Sequence, residues 1–182
     1  IAGAILWEDG RPVLFVQTRC GQDGAPFSML KFRSLQQGPK DPTRPADHTT
    51  RVGRVLRRWA LDELPQLWNV LRGDMSLVGP RPALPQQVDA YGPRERRRLQ
   101  VRPGLTGWAQ VHGRNALSWP ERIEHDRWYV ENRSLALDLS ILLKTPVVLL
   151  RGTGVDGPRG RNASFGESPD LRSPTSNLQP PP

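Results

Sequence analysis

Prolines and glycines divide this chain into short segments, and their placement limits the regular structure it can form. Nineteen prolines and 17 glycines are spread over 182 residues. Proline fixes its own φ angle and lacks an N–H donor, while glycine loosens the backbone, so not all of the chain can form helices and strands. We expect one domain with a modest core and at least one irregular end.

The N-terminal part carries the pattern of a β-hairpin. Residues 12–19 (PVLFVQTR) read as one strand and residues 27–35 (FSMLKFRSL) as the returning strand, because the CGQDGAP between them is rich in turn residues. Side chains alternate along a strand, so Lys31 and Arg33 are expected on one face, roughly 6.6 Å apart. The sequence therefore predicts a basic strand.

A basic amphipathic helix is predicted over residues 51–61 (RVGRVLRRWAL), after a loop-like segment at 36–47. Thr49 or Thr50 can cap it. Its apolar residues recur at helical spacing. They are Val52, Val55, Leu56 and Trp59. Arginines cover its other faces, which fits a solvated surface helix or a helix that contacts anionic lipid headgroups.

Two neighbouring acids, Asp62 and Glu63, follow this helix and are called the acidic pair below. One interpretation is that Asp62 caps the next helix, with Glu63 and Pro65 in favourable first-turn positions. The other extends the preceding helix to Glu63, which then lies eleven residues after Val52 on the apolar stripe, so that both acids face inward. Inward carboxylates raise each other's pKa unless a cation compensates.

The compensating charge has four candidate sources: Lys31, Arg33, Arg81 or a divalent metal. Arg81 stands between two prolines in GPRP, which stiffen the backbone around it and suit bidentate phosphate binding, although an incidental surface turn is the alternative. A few acids holding a metal is typical of Mg²⁺, which shares its coordination with substrate phosphates. Together these groups indicate pyrophosphate chemistry.

Three further helices are predicted downstream. QLWNVLRG ends at Gly73, and SWPE begins a helix with Ser118 as its cap and Glu121 as the capping-box partner. On that second helix Asp126 falls among apolar residues, and a carboxylate on a buried face needs a partner. Residues 134–150 are apolar but shorter than a membrane span, which favours a core helix or one lying on a membrane.

Proline and glycine predict loops in two other places. These are SLVGPRPALP at 76–85 and VRPGLTGWAQVHGRN at 101–115. The fold class expected from all these segments is α+β: a mainly helical compact domain with an N-terminal β-hairpin, associated with a membrane.

Four runs of sequence, in the same order, resemble the bacterial sugar transferases, the monotopic polyprenyl-phosphate phosphoglycosyl transferases. The runs are KFRS (31–34), LDELPQLWNVLRGDMSLVGPRP (61–82), RPGLTGWAQVHGRN (102–115) and HDRWYVENRSLALDLSILLKT (125–145). The resemblance covers roughly residues 12–150, and four motifs in one order are specific where one alone is weak.

The resemblance implies a reaction in which a sugar 1-phosphate moves from a UDP-sugar to polyprenyl (undecaprenyl) phosphate, releasing UMP. Asp62 matches the family's nucleophile, which holds the phosphosugar covalently between two steps. Glu63 matches the second acid and is expected to bind Mg²⁺. Further substrate-binding positions carried over from the family are Lys31, Arg33, Arg81, Asp126, Arg102 and Arg114.

The resemblance also implies an organisation and a location. Residues 1–151 are expected to be the catalytic domain, truncated at its N-terminus because the family's hydrophobic helix is not seen, and residues 152–182 a disordered Gly/Pro/Ser-rich tail. The expected location is the cytoplasmic face of the bacterial inner membrane, with an anionic membrane surface as a partner and no nucleic acid. The single cysteine, Cys20, fits a reducing compartment.

Two alternatives to this activity come from the charge and the missing helix. The formal net charge of +8 is also typical of a nucleic-acid-binding module, which would leave the acids at 62, 63 and 126 unexplained. An inactive, membrane-associated fragment is the other alternative.

Overall fold

An antiparallel hairpin forms the N-terminal sheet, as the sequence predicts. Strand β1 (Leu14–Cys20) pairs with β2 (Pro26–Phe32), and Phe15 lies opposite Lys31 in the register. A 3₁₀ turn at Gln22–Gly24 joins the strands. Helix α1 (Ala2–Asp9) precedes the hairpin.

Residues 1–36 and 48–151 are described by the computed structural model of the chain. They form a mixed helix and strand domain in which helix predominates, which confirms that part of the predicted fold class. The predicted tail at 152–182 and all but Gln36 of the predicted loop at 36–47 lie outside the described residues.

The amphipathic helix is shorter than the sequence predicts. Helix α2 (Arg51–Arg58) is capped by Thr50, whose hydroxyl accepts a hydrogen bond from the Gly53 N–H at 2.8 Å. It ends because Ala60 takes a left-handed conformation at φ 53°, which cannot continue a right-handed helix. The predicted extension through Glu63 is therefore wrong. The apolar stripe is also only partly buried, since Val55 and Trp59 are exposed.

The acidic pair lies in a separate 3₁₀ turn at Leu61–Glu63, and helix α3 (Gln66–Arg72) follows. No side chain caps α3, whose first flanking residue is Pro65, so the interpretation of Asp62 as its cap is also wrong. At the other end Gly73 has φ 86° and ends α3 in the left-handed conformation that glycine adopts at low cost.

A second sheet lies in two segments that the sequence indicates as loops. Strand β3 (Ser76–Val78) runs parallel to β4 (Gly104–Thr106). Each strand has only three residues, too few for an alternating pattern to be visible. Glycine permits the close approach, because a β-carbon on Gly104 would collide with the Gly79 backbone.

Short helices lie between the two strands of this sheet and after it. Helices α4 (Pro85–Asp89) and α5 (Pro93–Arg96), with a 3₁₀ turn at Arg97–Gln100, connect β3 to β4. Helix α6 (Trp108–Val111) and a 3₁₀ turn at Arg114–Ala116 connect β4 to the C-terminal part. Helix α7 (Trp119–Asn132) has the predicted capping box of Ser118 and Glu121. Helix α8 (Leu135–Arg151) completes the described chain.

Among the described residues, some of the buried apolar side chains form two clusters. One joins the hairpin to the segment after β3 and contains Cys20, Ala83, Val88, Tyr91 and Leu99. The other joins the second sheet to the C-terminal helices and contains Val78, Val101, Trp108, Tyr129 and Ile141. Within residues 1–36 and 48–151, no helix combines the length and apolar character needed to cross a membrane.

Candidate active site

A cavity of about 1060 Å³ opens between the hairpin, the 3₁₀ turn of the acidic pair, the segment after β3 and the start of α7. Asp62 and Glu63 both line it. Among the described residues, its basic side chains outnumber its acidic ones by eight to three. The basic ones are Arg19, Lys31, Arg33, Arg57, Arg81, Arg98, Arg114 and Arg122. Arg33 and Arg98 are paired with Asp9 and Asp126 outside this wall. The other six basic side chains still outnumber the three acids, which suits an anionic substrate.

Glu63 is the centre of a charged cluster on the cavity wall. Its Oε1 accepts hydrogen bonds from Lys31 Nζ at 2.8 Å and from Arg81 Nη2 at 2.7 Å. Burial alone would raise the pKa of Glu63, but the charges of Arg81 and Lys31 hold that pKa far below its usual range. Glu63 therefore stays ionised and fixes both cations.

Asp62, the neighbouring acid, has a different electrostatic setting. Burial, together with the negative charge of Glu63, raises the pKa of Asp62, although Lys31, Arg57 and Arg81 oppose that rise. The two acids thus have pKa values shifted in opposite directions. Such a separation is typical of side chains that have different roles in one site.

The backbone around Arg81 is held at four consecutive carbonyls. The Pro80 carbonyl accepts from Gly104 N at 2.9 Å, and the Arg81 carbonyl from Arg98 Nη2 at 2.9 Å. The next two carbonyls accept from the hairpin, Pro82 from Arg19 Nη1 at 3.2 Å and Ala83 from Cys20 N at 2.9 Å. The guanidinium of Arg81 is therefore presented to the cavity from a fixed loop, which agrees with the stiffness predicted from GPRP.

Arg33 lines the same cavity, but its guanidinium is bound to the end of α1. Its Nη2 donates to the Asp9 and Gly10 carbonyls at 2.8 and 2.6 Å, and its Nη1 lies 3.2 Å from Asp9 Oδ2. Lys31 instead binds Glu63, so the two basic residues of the predicted strand motif have separate partners. Arg33 connects the hairpin to α1.

Asp126 is buried behind the cavity, not on its wall. Its Oδ2 lies 2.6 Å from Arg98 Nη2, and both side chains are at most 2% exposed. The prediction that a carboxylate at this helical position is buried with a partner is confirmed. Arg98 also donates to the Tyr91 hydroxyl at 2.6 Å, and through the Arg81 carbonyl it reaches the loop that carries Arg81.

The two remaining predicted positions, Arg114 and Arg102, differ in their relation to the cavity. Arg114 lines the cavity on the 3₁₀ turn that follows α6, whereas Arg102 is exposed and is not among the residues that line it. Sequence reasoning missed Arg19, Arg98 and Arg122, which all contribute to the cavity wall. They occur in different elements, and none has a local pattern that distinguishes it from the other arginines of this chain.

The family model for bacterial sugar transferases matches residues 1–152, more than four fifths of the chain. The chain belongs to the bacterial sugar transferase family.

Curated relatives of this sugar transferase include proteins named for a reaction. The UDP-glucose:undecaprenyl-phosphate glucose-1-phosphate transferase of Caulobacter vibrioides is 49% identical over 160 residues, 81% of this chain and 60% of the relative. The undecaprenyl-phosphate galactose phosphotransferase of Salmonella typhimurium is 40% identical over 173 residues, 82% of this chain and 36% of the relative.

A third relative, the uncharacterized sugar transferase EpsL of Bacillus subtilis, is 47% identical over 149 residues, 80% of this chain and 74% of that protein. The sugar transferase chain thus spans between 36% and 74% of the length of these three relatives.

The acidic pair of the sugar transferase is also its candidate Mg²⁺ site. No group of three or more His, Cys, Asp or Glu side chains arranged for a metal occurs among the described residues. Glu63 is ionised and supplies hard oxygen, while Asp62 adds a second carboxylate. Such a set fits a Mg²⁺ ion that binds one or two carboxylates and takes other ligands from substrate phosphates.

Proposed function

We propose that this sugar transferase moves a sugar 1-phosphate from a UDP-sugar to polyprenyl phosphate and releases UMP, as the first membrane step in building an exopolysaccharide, O-antigen or glycoconjugate. The observation that carries the proposal is the acidic pair on the wall of a cationic cavity, with Lys31 and Arg81 bound to Glu63. Relatives named for this chemistry support it.

The proposed reaction has two displacement steps at one phosphorus atom. A carboxylate oxygen of Asp62 bonds to the phosphate that bears the sugar, the bond from this phosphorus to the bridging oxygen breaks, and UMP leaves with that oxygen. An oxygen of polyprenyl phosphate then bonds to the same phosphorus and releases the Asp62 carboxylate. Each step forms one P–O bond and breaks one, so that a transfer between two bulky anions is divided by covalent catalysis.

The residues around Asp62 have supporting roles in this proposal. Lys31 and Arg81 are both hydrogen-bonded to the Glu63 carboxylate. In this proposal they also bind the diphosphate oxygens, which places the reacting phosphorus near Asp62. Glu63 keeps these cations in position and is the proposed Mg²⁺ ligand. When bound, Mg²⁺ neutralises charge on the diphosphate and improves UMP as a leaving group.

Exposed apolar side chains beside the acidic pair support docking on a membrane. Leu64, Leu67, Trp68 and Leu71 are between 41% and 79% exposed and recur at helical spacing along α3 and the turn before it. The preceding helix α2 adds exposed arginines at 51, 54 and 58, which suit anionic headgroups. We propose the cytoplasmic face of the inner membrane as the location, where a lipid phosphate can reach Asp62.

A substrate panel tests the function directly. The protein is incubated in lipid with Mg²⁺, polyprenyl phosphate and a series of UDP-sugars, and both UMP and the lipid-linked product are measured. At least one UDP-sugar is expected to yield the two products in equal amounts, and a matched reaction with a chelator tests the Mg²⁺ requirement. Release of UMP from none of them, with the protein folded and membrane-bound, would contradict the proposed function.

A further inference from the structure

A small second chamber adjoins the cavity on the side of α6 and α7. Its volume is about 40 Å³, and Arg81, Arg114, Asn115 and Arg122 line both spaces. Ala109 and Gln110 of α6 complete the wall of the chamber. Neither Gln110 nor Arg122 has a role in the reaction proposed above.

Arg122 holds the wall of this chamber in place. Its Nη2 donates to the carbonyls of Arg114 and Leu117, both at 3.2 Å, and its guanidinium lies over the Trp119 ring at 4.9 Å from the centroid. Arg114 has φ 52°, a left-handed conformation that a side chain rarely adopts without support. Arg122 therefore fixes the turn that aims Arg114 into the site.

Several side chains that line this chamber have buried hydrogen-bonding atoms without partners. Among the described residues, Arg114 Nη1, Arg122 Nε and both amide atoms of Gln110 make no hydrogen bond. The described lining contains three arginines and no carboxylate. Buried, unpaired guanidinium N–H groups are costly, so this arrangement calls for an anionic acceptor. Burial, with the nearby charge of Arg81, also lowers the pKa of Arg114 and Arg122.

The size of the chamber restricts what can fill it. A water molecule has a share of about 30 Å³ in the liquid, so 40 Å³ has room for one or two terminal oxygen atoms of a phosphate group and not for a hexose ring. The rest of such a group has to lie at the opening into the larger cavity, whose wall includes the same arginines. Donors from arginines in fork geometry match the terminal oxygens of a phosphate group. The Gln110 amide adds a donor and an acceptor, which suits a phosphate in either protonation state.

We propose that Arg114, Arg122 and Gln110 form an oxyanion subsite for a phosphate monoester, separate from the phosphate that Asp62 attacks. The ligand rests on the proposed function, which supplies two such groups: the phosphate of released UMP and the phosphate of the lipid acceptor. Arg81 lies between Glu63 and the chamber, and it links the attacked phosphate to the bound one. Arg122 acts both as a phosphate ligand and as the positioning residue for Arg114.

Direct binding of inorganic phosphate tests the subsite without any sugar transfer. Calorimetric titration of the full chain is expected to give an affinity that falls about tenfold in Arg122→Gln and less in Gln110→Leu, which keeps the charge. Arg97→Gln is the matched control, since Arg97 is exposed and pairs with Glu131 away from the cavity, and it should bind phosphate like the wild type. Equal phosphate affinity in Arg122→Gln and Arg97→Gln overturns the proposal.

Steady-state kinetics then distinguish the two phosphate sources. A raised KM for polyprenyl phosphate in Arg122→Gln, with adduct formation from UDP-sugar unchanged, assigns the subsite to the lipid phosphate. A raised KM for UDP-sugar with weaker inhibition by UMP assigns it to the nucleotide. A lower kcat with both KM values and phosphate affinity unchanged reduces Arg122 to a structural residue and overturns the subsite.

The subsite and the proposed function can fail separately. If Arg122-dependent phosphate binding is found but no UDP-sugar yields UMP, the subsite stands and the proposed function falls. If transfer occurs while inorganic phosphate at millimolar concentrations neither binds nor inhibits, the proposed function stands and the subsite falls.

Discussion

Two carboxylate–arginine contacts lie close together in this protein. They differ in the number of cations per carboxylate and in their exposure to solvent. Asp126 and Arg98 form a one-to-one pair at 2.6 Å that is closed to solvent. Glu63 is shared by Lys31 and Arg81, and the Arg81 side chain is 42% exposed. Arg81 joins the two, because its side chain binds Glu63 and its carbonyl accepts a hydrogen bond from Arg98.

This difference in charge and exposure indicates that the Asp126–Arg98 pair stabilises the fold, whereas the Glu63 cluster leaves positive charge at the candidate active site. In the buried pair each charge is neutralised within the protein, so no charge remains to attract a ligand. At Glu63 two cations share one carboxylate at the edge of a cavity, and the excess positive charge is available to a diphosphate. An ion pair therefore indicates function when it leaves charge uncompensated at a cavity, not simply because it is buried.

Breaking the buried pair should have the largest effect on stability. Asp126→Asn leaves Arg98 charged and buried, and removing one partner of such a pair typically lowers the free energy of unfolding by about 3–5 kcal/mol. Urea denaturation measures this loss in the free energy of unfolding. A double change of Arg98→Met with Asp126→Leu should cost less than Asp126→Asn alone, because no uncompensated charge remains. Near-wild-type stability of Asp126→Asn would remove the structural role of this pair.

Breaking the cluster at Glu63 should affect transfer more than folding. Glu63→Gln removes the negative charge that Lys31 and Arg81 share, and we expect UMP release to fall by about 10²-fold or more, since pre-positioned charges commonly contribute that much. The free energy of unfolding should fall by less than in Asp126→Asn, because Arg81 is partly solvated. If Glu63→Gln lowered the free energy of unfolding as much as Asp126→Asn, the two contacts would both be structural and the proposed difference between them would be wrong.

The N-terminal cap of α7 gives the scale for these ionic effects. Ser118→Ala removes the cap of α7, the helix that carries Asp126, and should lower the free energy of unfolding by about 1 kcal/mol. Ser140→Ala is the matched control, because that hydroxyl only donates to the Leu137 carbonyl within α8. Equal denaturation midpoints for the two variants would show that the capping box does not stabilise α7.

The smallest effect is expected from the acid of the same capping box. Hydrogen bonds from the Ser118 side chain and backbone lower the pKa of Glu121, so its stabilising contribution is present above its usual value of about 4.3 and is lost as the pH falls through the lowered value. The difference in Tm between wild type and Glu121→Gln should narrow as the pH falls below about 4.3. A constant difference across that range would contradict this assignment.

The sequence predicts those parts of this fold that have local signals. Alternating strand residues locate the hairpin, and Ser118 with Glu121 locates the start of α7. Helical spacing predicts that Asp126 is buried. Its partner Arg98 is one of several clustered arginines, and only tertiary packing determines which of them pairs with Asp126. The three-residue strands β3 and β4 have no pattern long enough to detect.

The acidic pair illustrates a partly correct prediction. An extension of α2 to Glu63 predicts both acids inward, whereas the left-handed Ala60 ends that helix and a 3₁₀ turn carries the pair. Both acids nevertheless line the cavity, and Lys31 and Arg81 provide the compensating charge that inward carboxylates need. The chamber at Gln110 and Arg122 had no such signal, because it forms only where two helices and a turn meet.

Intact-protein mass spectrometry tests the central claim, covalent catalysis by Asp62, most directly. Incubation with a reactive UDP-sugar and no lipid acceptor should add the mass of one phosphosugar, peptide mapping should place it on Asp62, and adding polyprenyl phosphate should remove it. Asp62→Asn should form no adduct and should lose at least about 10³-fold in transfer. An Asp62→Asn protein that still forms the adduct, or still transfers sugar phosphate at the wild-type rate, would contradict the account.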